Sequence, residues 1–154
     1  MSGKLAGEIK QTKPFGSVEE EALLNLMRTA SVLEGVEADA LKPYELSLPQ
    51  YNILRILRGA GAKGLACQEI AERMIARDPD VTRLLDRLEG RGLIQRARSS
   101  EDRRVVVTKI AEAGLKLLAS MDAGLKDLPK KMLGHVGERR LRLLIGLLER
   151  ARGE

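Results

Sequence analysis

The chain has 154 residues, of which 44% are hydrophobic and 32% charged, a balance that fits one globular domain and excludes an intrinsically disordered chain. Only 2% are aromatic, so the core must be built from aliphatic residues and Met, which favours helices over a β-sandwich. The formal net charge of +5 is a weak indication of an anionic partner.

The N-terminal region predicts a flexible arm followed by a helix. Residues 1–16 are polar and interrupted by glycines and a proline, as in a loose terminus. Ser17 followed by Glu20 resembles a capping box, so we expect a helix to begin there. Apolar residues recur at helical spacing as far as Leu33, and the helix should end before Pro43.

Two shorter helices are expected next. The first should begin near Leu48, with Pro49 in its first turn, where the missing amide hydrogen does no harm. Three closely spaced glycines then break the chain, and a short helix is expected over residues 66–74. The residues expected to be buried in these helices are Tyr51, Leu54, Ile56, Leu57, Ile70 and Met74.

The clearest helix start in the chain is Asp78-Pro79-Asp80. We expect Asp78 to cap a fourth helix and Pro79 to occupy its first position, because the fixed φ of proline suits a helical N-terminus. Asp80 then suits the positive end of the helix dipole. The helix should end near Glu89, before the glycines that follow.

A β-hairpin and a helical C-terminal region complete the pattern. Residues 93–98 and 103–108 predict two short strands joined by a four-residue polar turn. Residues 111–133 predict a long helix that Pro129 should kink, because proline lacks an amide hydrogen and clashes with the preceding turn. A last helix is expected after Gly137.

The fourth predicted helix has the two faces that a DNA-recognition helix needs. At 100° per residue, its apolar residues fall on one side and its polar residues on the other. The outward residues are Thr82, Arg83, Asp86 and Arg87. A solvated charged face is the alternative, but the preceding helix and the following hairpin favour a winged helix-turn-helix that enters a DNA groove.

Arginine is concentrated in this part of the chain. From Arg73 to Arg104 there are nine arginines and no lysine, against six acidic residues. Arginine presents a planar fork of donors that fits phosphates and guanine edges. The arginines of the predicted wing are Arg96, Arg98, Arg103 and Arg104. A β-ribbon can place such arginines in the minor groove.

Asp102 stands beside two of these wing arginines, Arg103 and Arg104. We expect its carboxylate to hold one guanidinium in a fixed geometry. The alternative is a surface ion pair that contributes little to stability or binding.

Several short motifs, in their order and spacing, resemble those of the MarR family of regulators. They are Val81-Thr82-Arg83-Leu84-Leu85-Asp86-Arg87-Leu88-Glu89, then Gly92-Leu93-Ile94, Asp102-Arg103-Arg104 and Glu112-Ala113-Gly114. The resemblance implies a mainly α fold with a small β-hairpin wing, and N- and C-terminal helices that interlock two subunits. The acid-x-Arg element of the family's wing maps to Asp102 and Arg104. The family usually has Thr where this chain has Ala111, so we expect Thr108 to start the long helix earlier.

The outward helix face, the wing and the resemblance together predict the DNA-contacting residues. They are Gln68, Asp80, Thr82, Arg83, Asp86, Arg87, Arg98, Asp102, Arg103 and Arg104. A two-fold dimer presents two recognition helices, so the double-stranded DNA should be a near-palindrome. The alternative function is a winged helix that binds only proteins, without sequence-specific DNA recognition; the outward arginines favour DNA.

Apolar stripes outside the winged helix predict a homodimer. The helix in residues 17–45 and the helices in residues 111–154 would otherwise expose more apolar surface than soluble monomers usually tolerate. We therefore expect an arm at residues 1–16, a DNA-binding region at residues 46–110, and dimerisation helices in the other two segments.

The resemblance also implies a repressor that is relieved by a small effector, often an aromatic acid. Tyr44, Tyr51 and Arg55 lie near the junction of the first two helices, and Arg55 is able to pair with a carboxylate. These three are the predicted effector-binding residues. The alternative is that Tyr51 belongs to the core and Arg55 is a surface charge.

Cys67 and His135, each the only one of its kind, predict neither catalysis nor a metal site. A single cysteine excludes an intrachain disulfide and is expected to be structural, with redox sensing as the alternative. No metal-binding cluster, phosphate loop or nucleophile–base pair can be assembled, so we expect no cofactor and no enzyme activity. Without an apolar leader or a membrane span in the sequence, we expect a cytoplasmic protein.

Overall fold

A computed structural model of the protein describes residues 3–153, and the chain divides into two compact units, residues 1–39 and 40–154. The first unit contains α1 (Leu5–Glu8) and most of α2 (Val18–Leu41). The predicted start of α2 is confirmed, because the Ser17 hydroxyl accepts a hydrogen bond from the amide of Glu20. The Glu20 carboxylate accepts from the amide of Gly16, one residue before the position that a capping box requires.

The predicted N-terminal arm contains structure that its composition did not indicate. Residues 5–8 form the single turn α1, and Leu5 is buried. The amide of Gly3 donates to the Glu21 carboxylate at 2.8 Å, and Glu8 lies 3.9 Å from Arg28. Residues 1 and 2 of the arm lie outside the described residues. These contacts join the rest of the arm to α2.

The second unit opens with a 3-10 turn at Lys42–Tyr44 and α3 (Leu48–Ala60). Helix α3 begins where the sequence predicted, within a reciprocal capping box. The Ser47 hydroxyl accepts from the Gln50 amide at 3.3 Å, and the Gln50 side chain accepts from the Ser47 amide at 3.0 Å. Ile53, which was not among the expected core residues, is buried in the core of this unit. Tyr51 and Ile56 are only half-buried.

Helix α4 (Cys67–Arg73) is followed by α5 (Val81–Gly90), which begins later than predicted. The cap is Asp80 and not Asp78, because the Asp80 carboxylate accepts from the amide of Arg83 at 3.1 Å. The carboxylate of Asp78 accepts from the amide of Asp80 at 2.8 Å, as in an Asx turn. Pro79 therefore lies in the turn before the helix, and not at its first position.

The sheet contains β1 (Leu65–Ala66), β2 (Ile94–Arg98) and β3 (Val106–Ile110), all antiparallel in the order β1-β3-β2. The short strand β1 was not predicted, since two residues carry no readable alternation. The last strand begins at residue 106 and not 103, so the wing turn covers residues 99–105 and contains Arg103 and Arg104. The predicted four-residue turn is therefore too short.

Thr108 does not start the next helix, contrary to expectation. It lies inside β3, is almost fully buried and pairs with Leu65 on one side and Arg96 on the other. Helix α6 (Glu112–Leu125) begins after Ala111, which gives it no side-chain cap. A β-carbon at Gly114 would overlap the carbonyl oxygen of Leu93, so glycine allows α6 to approach the backbone there.

The long C-terminal helix that was predicted with a kink is two helices, α6 and α7 (Leu128–Leu133). Pro129 lies in the first turn of α7, where no intrahelical bond needs its nitrogen, so the chain breaks before it. Gly137, at a φ of 86°, precedes α8 (Glu138–Ala151).

The core of the second unit lies beneath α5. Side chains from α3, α4, α5, β2 and α6 meet there, and the fully buried ones include Leu54, Leu57, Ile70, Leu85, Leu88, Ile94, Leu118 and Met121. This packing fixes one face of α5 and leaves the other exposed. Within residues 3–153, none of the helices is both long and apolar enough to cross a membrane.

Candidate nucleic-acid interface

The two faces predicted for α5 are confirmed. Val81, Leu85 and Leu88 are buried in the core. The exposed side carries Thr82, Arg83, Asp86 and Arg87. Because these polar residues recur at helical spacing on ten residues of helix, they form one solvent-facing strip. Such a strip has the dimensions and donors that a major groove accepts.

Asp80 orients Arg83 at the N-terminal end of this strip. One carboxylate oxygen of Asp80 caps the helix, and the other lies 3.2 Å from Nε of Arg83. The Arg83 side chain remains 68% exposed, so its terminal nitrogens face solvent. Asp80 thus acts through the cap and through Arg83, which leaves its carboxylate little capacity to contact a base itself.

Arg87 and Gln68 extend the exposed surface on two helices. Within the described residues, the Arg87 guanidinium forms no ion pair, and its charge is available to an anion. Gln68 is exposed near the N-terminus of α4, where its amide donates to the Glu72 carboxylate at 3.1 Å.

The wing turn presents exposed arginines on an ordered backbone. The Asp102 carboxylate accepts from the amide of Arg104 at 3.0 Å and lies 3.5 Å from its Nε. The Arg98 guanidinium spans the turn and donates to the carbonyl oxygen of Arg103 at 2.7 Å. These hydrogen bonds order the backbone of the turn. The Arg104 side chain is 94% exposed, so its charge projects into solvent.

Arg96 is not part of this exposed wing surface, although its position in the sequence suggested so. Its guanidinium donates to Asp86 at 2.6 Å and to Glu89 at 2.9 Å, and its side chain is only 22% exposed. The amide of Arg96 also donates to Glu89, at 3.1 Å. The hydrogen bond from Arg96 lowers the pKa of Glu89, and the two carboxylates raise the pKa of Arg96.

Strand alternation was the signal that would have identified this role. Residues two apart on a strand point to the same face, so Arg96 shares the face of Ile94, which is buried in the core. An arginine on the core-facing side of a strand needs acidic partners. A count of charges along the wing misses this role, because it ignores the face of the strand on which each arginine lies.

The predicted effector residues form a pair and a separate tyrosine. The Arg55 guanidinium lies over the ring of Tyr51 at 5.7 Å, one turn away on α3. The backbone carbonyl of Tyr44 accepts from Arg91 at 3.2 Å, and its hydroxyl lies beside Gly124 of α6. Arg55 is exposed and forms no ion pair with the described residues.

Among the described residues, the side chains of Cys67 and His135 form no hydrogen bond or ion pair. Cys67 is a half-buried free thiol at the first position of α4. His135 lies in the 3-10 turn Gly134–Val136 between two helices. Residues 3–153 contain no cluster of three or more metal-ligating side chains.

Comparison with known protein families gives a match over this same region. The model of the MarR family matches residues 46–106, from two residues before α3 to the first residue of β3. A crystal structure of a MarR transcription factor from Planctomyces limnophilus is 41% identical in sequence. It aligns over 88% of this chain and 98% of its own, with a TM-score of 0.67.

Two curated relatives are similar over shorter segments. The HTH-type transcriptional regulator YfiV of Bacillus subtilis strain 168 is 39% identical over 77 residues, which are 50% of this chain. The HTH-type transcriptional repressor IacR of Pseudomonas putida is 29% identical over 109 residues, which are 71% of this chain. The matched regions span 47% of YfiV and 64% of IacR.

Proposed function

The chain belongs to the MarR family, and we propose that it is a transcription regulator that binds near-palindromic double-stranded DNA as a homodimer. The observation that carries the proposal is the pair of exposed arginine groups, one on α5 and one on the wing turn. Arg83 and Arg87 suit the major groove, whereas Arg103 and Arg104 suit the adjacent backbone or minor groove. This function requires no catalysis, and it places the protein in the cytoplasm with its DNA.

We propose that all ten residues predicted from the sequence serve DNA binding, some by contacting DNA and the others by positioning the residues that do. Arg83, Arg87, Arg103 and Arg104 contact DNA directly, and Arg98 and Asp102 order the wing turn. Thr82 and Gln68 are exposed at the N-terminal ends of two helices, where hydroxyl and amide groups commonly contact phosphates. Asp80 and Asp86 act by orienting arginines.

A homodimer is supported by the exposed apolar residues of two helices. On α2, Leu23 is 56% and Met27 61% exposed; on α8, Leu143 is 64% and Ile145 54% exposed. Each helix by itself presents apolar side chains that a second copy of the chain would cover. We propose residues 17–45 and 111–154 as the dimerisation segments and residues 46–110 as the DNA-binding region.

The function is tested by selecting duplexes from random DNA with the purified protein. We expect a near-palindrome with half-sites about 10 bp apart, centre to centre, and an affinity that falls steeply with salt. A winged helix that serves only protein interaction would select no sequence and would show at most weak retention on heparin. Light scattering at micromolar concentration should give the mass of a dimer.

We further propose that the protein is a repressor relieved by a small carboxylate. The name of IacR, a repressor, supports repression as the direction of regulation. Arg55 lies beside Tyr51 and forms no ion pair with the described residues, which supports a carboxylate as the effector. Aromatic carboxylates should be screened by thermal shift and by release of the selected duplex. The response should disappear in Arg55→Ala, and retention of the response in this variant would exclude Arg55 from the effector site.

A further inference from the structure

Strand β2 carries three residues of one face from the core to the wing turn. Ile94 is buried in the core, Arg96 contacts α5, and Arg98 reaches the carbonyl of Arg103 in the turn. Residues two apart on a strand lie on the same face, so these contacts form a continuous line. The middle contact, made by Arg96, connects the hairpin to α5.

Arg96 fits that position because of the geometry of its partners. Asp86 and Glu89 are three residues apart on α5, so their carboxylates lie on one side of the helix. A planar guanidinium reaches both at once, whereas a lysine ammonium is a single point charge. With the backbone amide also bound to Glu89, three hydrogen bonds from one residue join the strand to the helix.

These contacts also argue against a phosphate contact by Arg96. The guanidinium is mostly covered, and two carboxylates within 3 Å of it would repel a phosphate. The same pairing engages one oxygen of Asp86, although Asp86 lies on the exposed strip of α5.

We propose that Arg96 is a positioning residue that fixes the wing relative to α5, and that Asp86 serves DNA binding through Arg96 and not by reading a base. The arginines of α5 and of the wing turn then reach DNA at a set spacing. The expected effect on DNA affinity rests on the proposed DNA-binding function. The contacts of Arg96 with Asp86 and Glu89 (the clamp) are measurable without DNA.

Hydrogen exchange of the free protein tests the clamp. Replacing Arg96 with Met keeps the length of the side chain and removes its donors. In Arg96→Met, amides of the β2–β3 ladder should exchange about tenfold faster, while the amides of α3 keep their protection. The matched control is Arg103→Met, because the Arg103 side chain forms no ion pair within the described residues. In this variant, amides of the β2–β3 ladder should exchange as in the unmodified protein. Unchanged exchange in Arg96→Met would overturn the proposal.

A double-mutant cycle on the selected duplex tests the consequence. Arg96→Ala should weaken binding about tenfold, and the Asp86→Ala, Arg96→Ala double variant should bind no more weakly than Arg96→Ala alone. In the control cycle, the fold-losses of affinity caused by Asp86→Ala and by Arg87→Ala should multiply, because Arg87 contacts DNA independently of Asp86. Multiplying effects in the Asp86 and Arg96 cycle would contradict the proposal.

Two further readouts separate positioning from direct contact. Arg96→Lys keeps the charge, so a phosphate contact would retain most of the affinity, whereas the clamp predicts a loss close to that of Arg96→Ala. Random-DNA selection with Asp86→Ala should return the same preferred bases; a change at one base position would show that Asp86 reads it. If the unmodified protein selects no sequence, the proposed function fails, while the exchange experiment still decides the clamp.

Discussion

The guanidinium of Arg91 donates a hydrogen bond to the carbonyl oxygen of Glu45 at 2.7 Å. A second bond reaches the carbonyl of Tyr44 at 3.2 Å. Glu45 has a φ of 54°, in the left-handed region that residues other than glycine seldom adopt. Arg91 follows the last residue of α5, so the end of this helix is bound to the strained turn that precedes α3.

Arg91→Ala should therefore lower the free energy of unfolding by about 1–2 kcal/mol, because two carbonyls lose a charged donor. Urea denaturation with an unchanged m-value provides the measurement. Arg87→Ala is the control on the same helix and should stay within about 0.5 kcal/mol of the unmodified protein. Equal stability of the two variants would mean that the Arg91 contacts contribute nothing.

Arg83→Ala should relax the sequence preference at one position of each half-site. The cost should be about 1–3 kcal/mol on the preferred duplex and less on non-specific DNA, because a base contact is lost. Competition binding with duplexes substituted at single positions measures this. A uniform loss across all sequences would identify Arg83 as a phosphate contact.

Arg104→Ala should weaken binding to specific and non-specific DNA alike. Loss of one phosphate contact reduces the slope of log affinity against log salt by roughly one unit. Asp102→Ala should have a smaller effect, since Asp102 acts only through the turn that presents Arg104. Affinity that is unchanged in Arg104→Ala would remove the wing turn from the interface.

Gly114→Ala should destabilise the protein by about 1–3 kcal/mol, because the new β-carbon would overlap the Leu93 carbonyl and come within 2.8 Å of Ile110. Gly124→Ala, in the same helix, is the control. There a β-carbon would meet only the Tyr44 hydroxyl at 3.8 Å, so this variant should be stabilised by about 0.4–1 kcal/mol. In thermal unfolding, Gly114→Ala should have a lower Tm than the unmodified protein, and Gly124→Ala a higher one.

The Glu89–Arg96 contact predicts a pH dependence. The hydrogen bond from Arg96 lowers the pKa of Glu89 in the folded state, so the unfolded chain binds more protons in the acid range. The stabilisation is complete above the ordinary pKa of a glutamate and is lost as pH falls through the lowered value. The difference in Tm between the unmodified protein and Glu89→Gln should therefore shrink from pH 6 to pH 3. A constant difference would contradict the pairing.

Local signals determined the helices and the two faces of α5. The capping hydroxyl of Ser17 acts within three residues, and the alternation of Val81, Leu85 and Leu88 with exposed arginines follows from helical periodicity alone. The family motifs are also local strings, so the winged helix and its arginine-bearing surface were predictable from the sequence, and the structure and the comparisons agree with them.

The geometry of turns and the contacts between separate elements decided the rest. Two aspartates competed to cap α5, and the choice of Asp80 over Asp78 depended on the path of the preceding turn. The partners of Arg96 lie seven and ten residues away across a glycine turn, and composition counted that arginine as a free charge. The requirement for glycine at position 114 arises from the Leu93 backbone, which approaches only when the chain has folded. Strand alternation would have placed Arg96 on the core-facing side, but its partners, and the approach of the Leu93 backbone to Gly114, depend on packing in three dimensions.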